Sequence, residues 1–130
     1  MNRISLIAAP LLLAPLLAGC VSFQTVKDGI TRARIDEPVA VNGMQVTPTR
    51  LVEDSRCPIG VQCISAGQVR IAVRIGGADP GAGPVELTQG QPAGIAGGAL
   101  ELVEVYPERR KDWTLYPDEY RFGFTFTRRP

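Results

Sequence analysis

Near its C-terminus the chain places an aromatic ring at every second position: Tyr120, Phe122, Phe124 and Phe126 alternate with Arg121, Gly123, Thr125 and Thr127. Successive side chains point to opposite sides only in extended backbone, so this period commits the segment to a β-strand with one aromatic face. Rings in such a row form a core, although an exposed stacking platform shares the pattern. Val69, Ile71, Val73 and Ile75 obey the same rule against Gln68, Arg70, Ala72 and Arg74. Val39 and Val41, then Met44 and Val46, flank Asn42-Gly43, the dipeptide suited to a type I′ hairpin turn because both central residues need positive φ. Pro48 cannot donate to a ladder, so the second strand of this hairpin lies at an edge or carries a bulge before Leu51 and Val52.

The other apolar segments are shorter. Residues 76–98 hold many of the 14 glycines and read as two loops around a short strand over 85–88; a binding-loop role has only Asp79 and Glu86 as charged anchors. Residues 99–106 alternate with a slip between Leu102 and Val103, the sign of a bulge. No segment after the N-terminal region keeps a helical period. The pattern predicts an all-β fold, a small antiparallel sandwich or partly open barrel of six or seven strands.

The N-terminus carries an address. Asn2 and Arg3 precede an apolar run over 4–17, interrupted by Pro10 and Pro15, that ends in Leu17-Ala18-Gly19-Cys20. The run is short of the ~20 apolar residues of a membrane span and fits a secretory signal. It resembles the lipobox of bacterial lipoproteins, which implies that Cys20 becomes the mature N-terminus, carries a diacylglyceryl thioether and anchors the chain to the membrane by lipid. Val21, where an Asp would stand for retention, implies sorting to the outer membrane with the domain facing the periplasm. The expected organisation is a signal peptide over 1–19, a lipidated tether over 20–37 and a β-rich domain over 38–130; the alternative gives 29–35 to a first strand.

Charge excludes several functions. With 14 basic and 13 acidic side chains, and one basic group lost with the signal, no excess remains to bind nucleic acid. The absence of His rules out Ser-His and Cys-His pairs, His-ligated zinc and a His pH switch. Paired carboxylates are the remaining hydrolytic option, but Glu53 and Asp54 point to opposite faces of a strand, and Asp118 and Glu119 are ordinary turn acids. No catalytic residue, metal site or cofactor is assigned.

Once Cys20 is assigned to lipid, Cys57 and Cys63 remain as an even pair in an oxidising compartment, and a disulfide is the economical reading. The chain-entropy account gives about 2 kcal/mol for so short a loop. A redox or metal-binding pair is the alternative; five intervening residues do not match CxxC, and two thiolates do not complete a zinc tetrahedron. The segment 54–67, DSRCPIGVQCISAG, resembles a motif of small exported bacterial proteins to which no activity attaches, with Ser65 where many have an aromatic. The resemblance implies a β-rich domain.

In residue terms, Asp54 and Ser55 suit a turn, Pro58 stiffens it, Gly67 permits positive φ, and Arg56 either pairs with Asp54 or covers the core with its stem. A braced loop of this kind is a structural corner, or else presents Ile59, Val61 and Gln62 to a partner at low ordering cost. The second candidate surface lies in 107–119, PERRKDWTLYPDE. There Arg109, Arg110 and Lys111 stand beside the single Trp113 and Tyr116, a set suited to a protein, glycan or anionic headgroup, while Glu108 and Asp112 offset the charge. A plain solvated loop is the alternative. Together these features point to a non-enzymatic lipoprotein that binds or supports an envelope protein or glycan; the second reading is a periplasmic inhibitor acting through loop 57–63.

Overall fold

The computed structural model describes residues 28–76, 83–95 and 97–130; the expected signal peptide over 1–19, Cys20, the expected tether up to Lys27 and the connection containing Asp79 lie outside the described residues. Eight strands are present among the described residues: β1 (Thr31–Ala33), β2 (Val39–Val41), β3 (Met44–Asp54), β4 (Val69–Gly76), β5 (Val85–Thr88), β6 (Ala93–Ile95), β7 (Gly98–Tyr106) and β8 (Arg121–Arg128). They form two four-stranded sheets, β1-β8-β7-β6 and β2-β3-β4-β5, with every pairing antiparallel. The sheets pack face to face as a sandwich and do not close into a barrel. The count exceeds the expected six or seven because β1 and β6 have three residues each, too few to display a period. β1 lies inside the segment that the sequence divides between tether and first strand, and it pairs Thr31 with Phe124 and Ala33 with Phe122.

The alternations place the core. Phe122, Phe124, Val69, Ile71, Val73, Leu100 and Leu102 are completely buried, and Tyr120 stacks on Phe122 with ring centroids 5.8 Å apart. Phe126 continues the row only half-buried, since β8 there runs out toward the end of the sandwich. Each buried ring contributes about 1.5–3 kcal/mol of transfer free energy. Asn42 and Gly43 have φ of 49° and 79°, joining Val41 to Met44 as the type I′ turn requires. The slip in β7 is a register shift between Leu102 and Glu104.

Pro48 sits within an 11-residue strand that has neighbours on both sides, beside a register shift between Pro48 and Arg50. It is tolerated for a local reason. Its carbonyl accepts from the Asp36 N–H at 2.7 Å, ahead of the first residue of β2, Val39, which pairs with Val46. Its missing N–H faces that same side, so β4 loses no ladder bond.

Two turn glycines separate strain from collision. Gly43 and Gly67 both have positive φ, but a Cβ at Gly43 meets nothing within 4 Å whereas one at Gly67 falls 1.8 Å from the Ser55 carbonyl oxygen. Gly43→Ala is expected to cost about 1 kcal/mol for backbone strain alone. Gly67→Ala must also displace the backbone at Ser55 and costs more, by urea unfolding of the chain over residues 28–130; equal losses would contradict the close approach.

Candidate functional site

The motif 54–67 begins where β3 ends, and its first residue is the hinge of a buried network. The Asp54 carboxylate is only 5% exposed. Oδ1 accepts from Arg56 Nε at 2.8 Å and from the Arg56 backbone N–H at 3.3 Å, while Oδ2 accepts from Arg56 Nη2 and from the Tyr120 hydroxyl, both at 2.8 Å. The guanidinium then reaches across to the other sheet: Nη1 donates to the Val105 carbonyl at 3.1 Å and Nη2 to the Pro107 carbonyl at 3.0 Å, just past the cis Tyr106–Pro107 bond. Only the planar fork of Arg delivers parallel bonds to a carboxylate and separate ones to two carbonyls.

Burial works to raise the Asp54 pKa, but the hydrogen bonds from Arg56 and Tyr120 and the Arg56 charge outweigh it, and the carboxyl titrates below its ordinary 3.8. Tyr120 responds in the opposite sense: burial, then its bond to Asp54, pushes the phenol up to about 12. The Arg56 guanidinium is held more strongly protonated, chiefly by its hydrogen bond to Asp54.

From this corner the two candidate segments grow toward each other. The Arg109 guanidinium donates to the Arg56 carbonyl at 2.7 Å. The Ile59 N–H donates to the Arg109 carbonyl at 2.8 Å, and the Lys111 N–H donates to the Ile59 carbonyl at 3.2 Å, an isolated parallel bridge between Ile59 and Arg110. The Cys57–Cys63 disulfide is present, with Cα atoms 5.9 Å apart. The loop base is closed by Ser55 N–H to the Gln68 carbonyl at 2.9 Å and Cys57 N–H to the Ala66 carbonyl at 3.2 Å. On the other segment, Glu119 folds the turn over 116–119 by accepting from the Tyr116 N–H at 2.7 Å.

The result is one open groove of about 340 Å³ lined by Ile59, Gly60, Arg110, Lys111, Asp112 and Trp113. Ile59 and Trp113 are each about half exposed, 48% and 49%. Of the sequence candidates, Ile59, Arg110, Lys111 and Trp113 therefore converge. Val61, Gln62 and Tyr116 are exposed but do not line the groove, and Arg109 is turned inward to brace the Arg56 backbone. Sequence reasoning missed Ile64 and Tyr106, both exposed, and the hydroxyl of Tyr120. The only available signal for the last was a Tyr heading a row of Phe.

The carboxylates tested for catalysis are engaged: Glu53 accepts from Ser55 Oγ, Gln68 Nε2 and Arg70 Nη1, and Asp54 is held as above. Among the described residues no group of three or more His, Cys, Asp or Glu is placed to hold a metal ion. Comparison with protein-family models, with curated proteins and with solved structures gives no match to this chain.

The network has a defined pH signature. Because the folded Asp54 binds its proton less readily than the unfolded chain, its contribution to stability is present above the ordinary carboxylate pKa of 3.8 and is lost as pH falls through the lower folded value. For Tyr120 the sign reverses: stability is complete below pH 10 and falls as pH rises toward about 12. Asp54→Ala leaves the Arg56 charge without its partner and is expected to cost about 3 kcal/mol at neutral pH. Tyr120→Phe is expected to cost about 1–2 kcal/mol and to flatten the alkaline limb. Urea midpoints measured across pH check both.

Proposed function

We propose that this chain is a bacterial lipoprotein, exported on residues 1–19 and anchored through lipid on Cys20 in the outer membrane, whose periplasmic β-domain is a non-enzymatic module binding another component of the cell envelope. The observation that carries the binding role is the Ile59–Arg110 bridge, which makes one surface of two segments far apart in sequence. An exposed Trp beside an Arg is a pairing of two of the residue types that dominate binding energy at protein interfaces, and the flat indole face also suits a sugar ring. Ordering costs are already met: the disulfide, the bridge and the Arg56 bonds fix the backbone before a partner arrives, leaving mainly side-chain ordering at about 0.5–1.5 kcal/mol per residue.

Ile59 and Val61, exposed on a cross-linked loop, also support the second reading, in which the loop enters and blocks a soluble hydrolase. The two readings differ in what they capture. Photocrosslinking in cells of the source bacterium, with probes at Val61 and Trp113 and a control at Arg74, is expected to give a specific adduct with a resident envelope component from Trp113 and none from Arg74. An adduct with a hydrolase from Val61 would select the inhibitor, and adducts from neither loop in a normally exported protein would overturn the binding role. Cys20→Ser is expected to abolish lipid attachment, read as loss of the acyl mass increment and of labelled palmitate; an unchanged lipid signal would contradict the anchor.

A further inference from the structure

The two ends of the sandwich differ in what they expose. Asp54, Tyr106 and Arg121 mark the groove end; the Asn42–Gly43 turn, Gly76 and Arg128 mark the other. Exposed cations that make no ion pair among the described residues stand at both: Arg110, Lys111 and Arg121 at the first, Arg74, Arg128 and Arg129 at the second. Charge therefore does not tell the ends apart, but apolar exposure does. Among the described residues the exposed large hydrophobic side chains are Ile59, Val61, Ile64, Tyr106, Trp113 and Tyr116, and all of them come from 59–64 and 106–116 at the groove end.

The disulfide and the Ile59–Arg110 bridge hold the backbone beneath these side chains, so they cannot fold back onto the core, and Ile64 stands wholly in solvent. An exposed apolar cluster marks a contact with a protein or a membrane. The composition here matches the interfacial layer of a bilayer. Trp113 and Tyr116 are rings with a polar tip, Val61 and Ile64 are aliphatic side chains at a loop tip, and Arg110 and Lys111 carry long stems that leave their charge among headgroups. Glu108, Asp112 and Asp118, exposed in the same segment, offset those cations, so apolar burial rather than charge would carry the contact.

The start of the domain lies within reach of the same end. β1 sets Arg32 opposite Gly123, and Asp28 folds back onto the Arg32 guanidinium at 2.8 Å. That rung of β8 is two residues from Arg121 and five from Arg128, roughly 7 Å against 17 Å. Eight residues carry the chain from Cys20 to Asp28, a span of at most about 29 Å. We infer that Val61 and Ile64, with Trp113 and Tyr116, enter the interfacial layer of the membrane that holds the lipid on Cys20. The inference rests on the reading of Cys20 as the anchor, and it names the bilayer as the envelope component that this surface binds. Each methylene taken out of water strengthens such a contact about fourfold, and the tether makes the contact intramolecular.

Trp113 is the single tryptophan of the chain, so its fluorescence reports the groove end alone. The test uses the full lipidated chain in vesicles of phosphatidylethanolamine and phosphatidylglycerol, with a nitroxide at a shallow acyl position as the membrane quencher and iodide as the aqueous one. Trp113 is expected to be quenched by the nitroxide and shielded from iodide, and to remain so in molar salt. Val61→Asp together with Ile64→Asp is expected to lower nitroxide quenching at least about threefold and to restore iodide quenching, with the near-UV circular dichroism unchanged because neither side chain is buried. Nitroxide quenching that survives the double change, or that disappears in molar salt, overturns the inference. So does a Trp113 open to iodide in a chain that floats with the vesicles; a protein or glycan adduct at that position in cells then keeps the groove as the site of that partner. A chain that does not float overturns the anchor, and the inference with it, before any quenching is read.

Discussion

A largely buried ion pair, Asp54 with Arg56, fixes the shape of the groove end of this molecule. Two sheets that share no strand need something to hold their ends in register, and apolar burial is non-directional. The Asp54–Arg56–Tyr120 network supplies direction, because one carboxylate at the end of β3 receives a fork and a phenol while the fork reaches the end of β7. Taking the two charges out of water costs several kcal/mol, and the pair is tolerable only because its polar atoms are satisfied. No buried side-chain nitrogen or oxygen among the described residues lacks a partner.

From that pair the rest of the groove follows by short steps. Arg56 fixes Val105 and Pro107, Arg109 returns to the Arg56 carbonyl, and Ile59 and Lys111 then meet as if adding a rung to a sheet. The disulfide limits how far the loop can open but does not by itself orient it toward 107–119. The outer strands β5 and β6, and β1 and β2 at the other side, are three or four residues long. Short edges offer little template for strand addition.

Much of the fold was legible because it depends on period 2. The rows at Tyr120–Phe126 and Val69–Ile75, the Asn42–Gly43 turn and the slip at Leu102 all appear in the structure as read. β1 is legible only as the alternative strand within 29–35 and β6 not at all, since three residues carry no period and their pairing is decided by neighbours. Pro48 reads as the mark of an edge or a bulge; the structure has the register shift, between Pro48 and Arg50, and β2, which begins only at Val39 opposite Val46, does not reach the proline. For the site, the sequence offered two separate candidate loops. Their union through Ile59 and Arg110, and the role of Arg109 as a brace, depend on tertiary placement that no local pattern encodes.

If Arg56 is the brace that turns two loops into one surface, the amides of the bridge should report it directly. Native-state hydrogen exchange of Ile59 and Lys111, compared between the natural chain and Arg56→Lys, measures this, because Lys cannot reproduce the fork. Both amides should be protected in the natural chain and should exchange at least tenfold faster together in Arg56→Lys, while core amides such as Ile71 and Leu102 stay protected. Undiminished protection of Ile59 and Lys111 in Arg56→Lys would contradict the central place given to Arg56, as would amides that exchange freely in the natural chain.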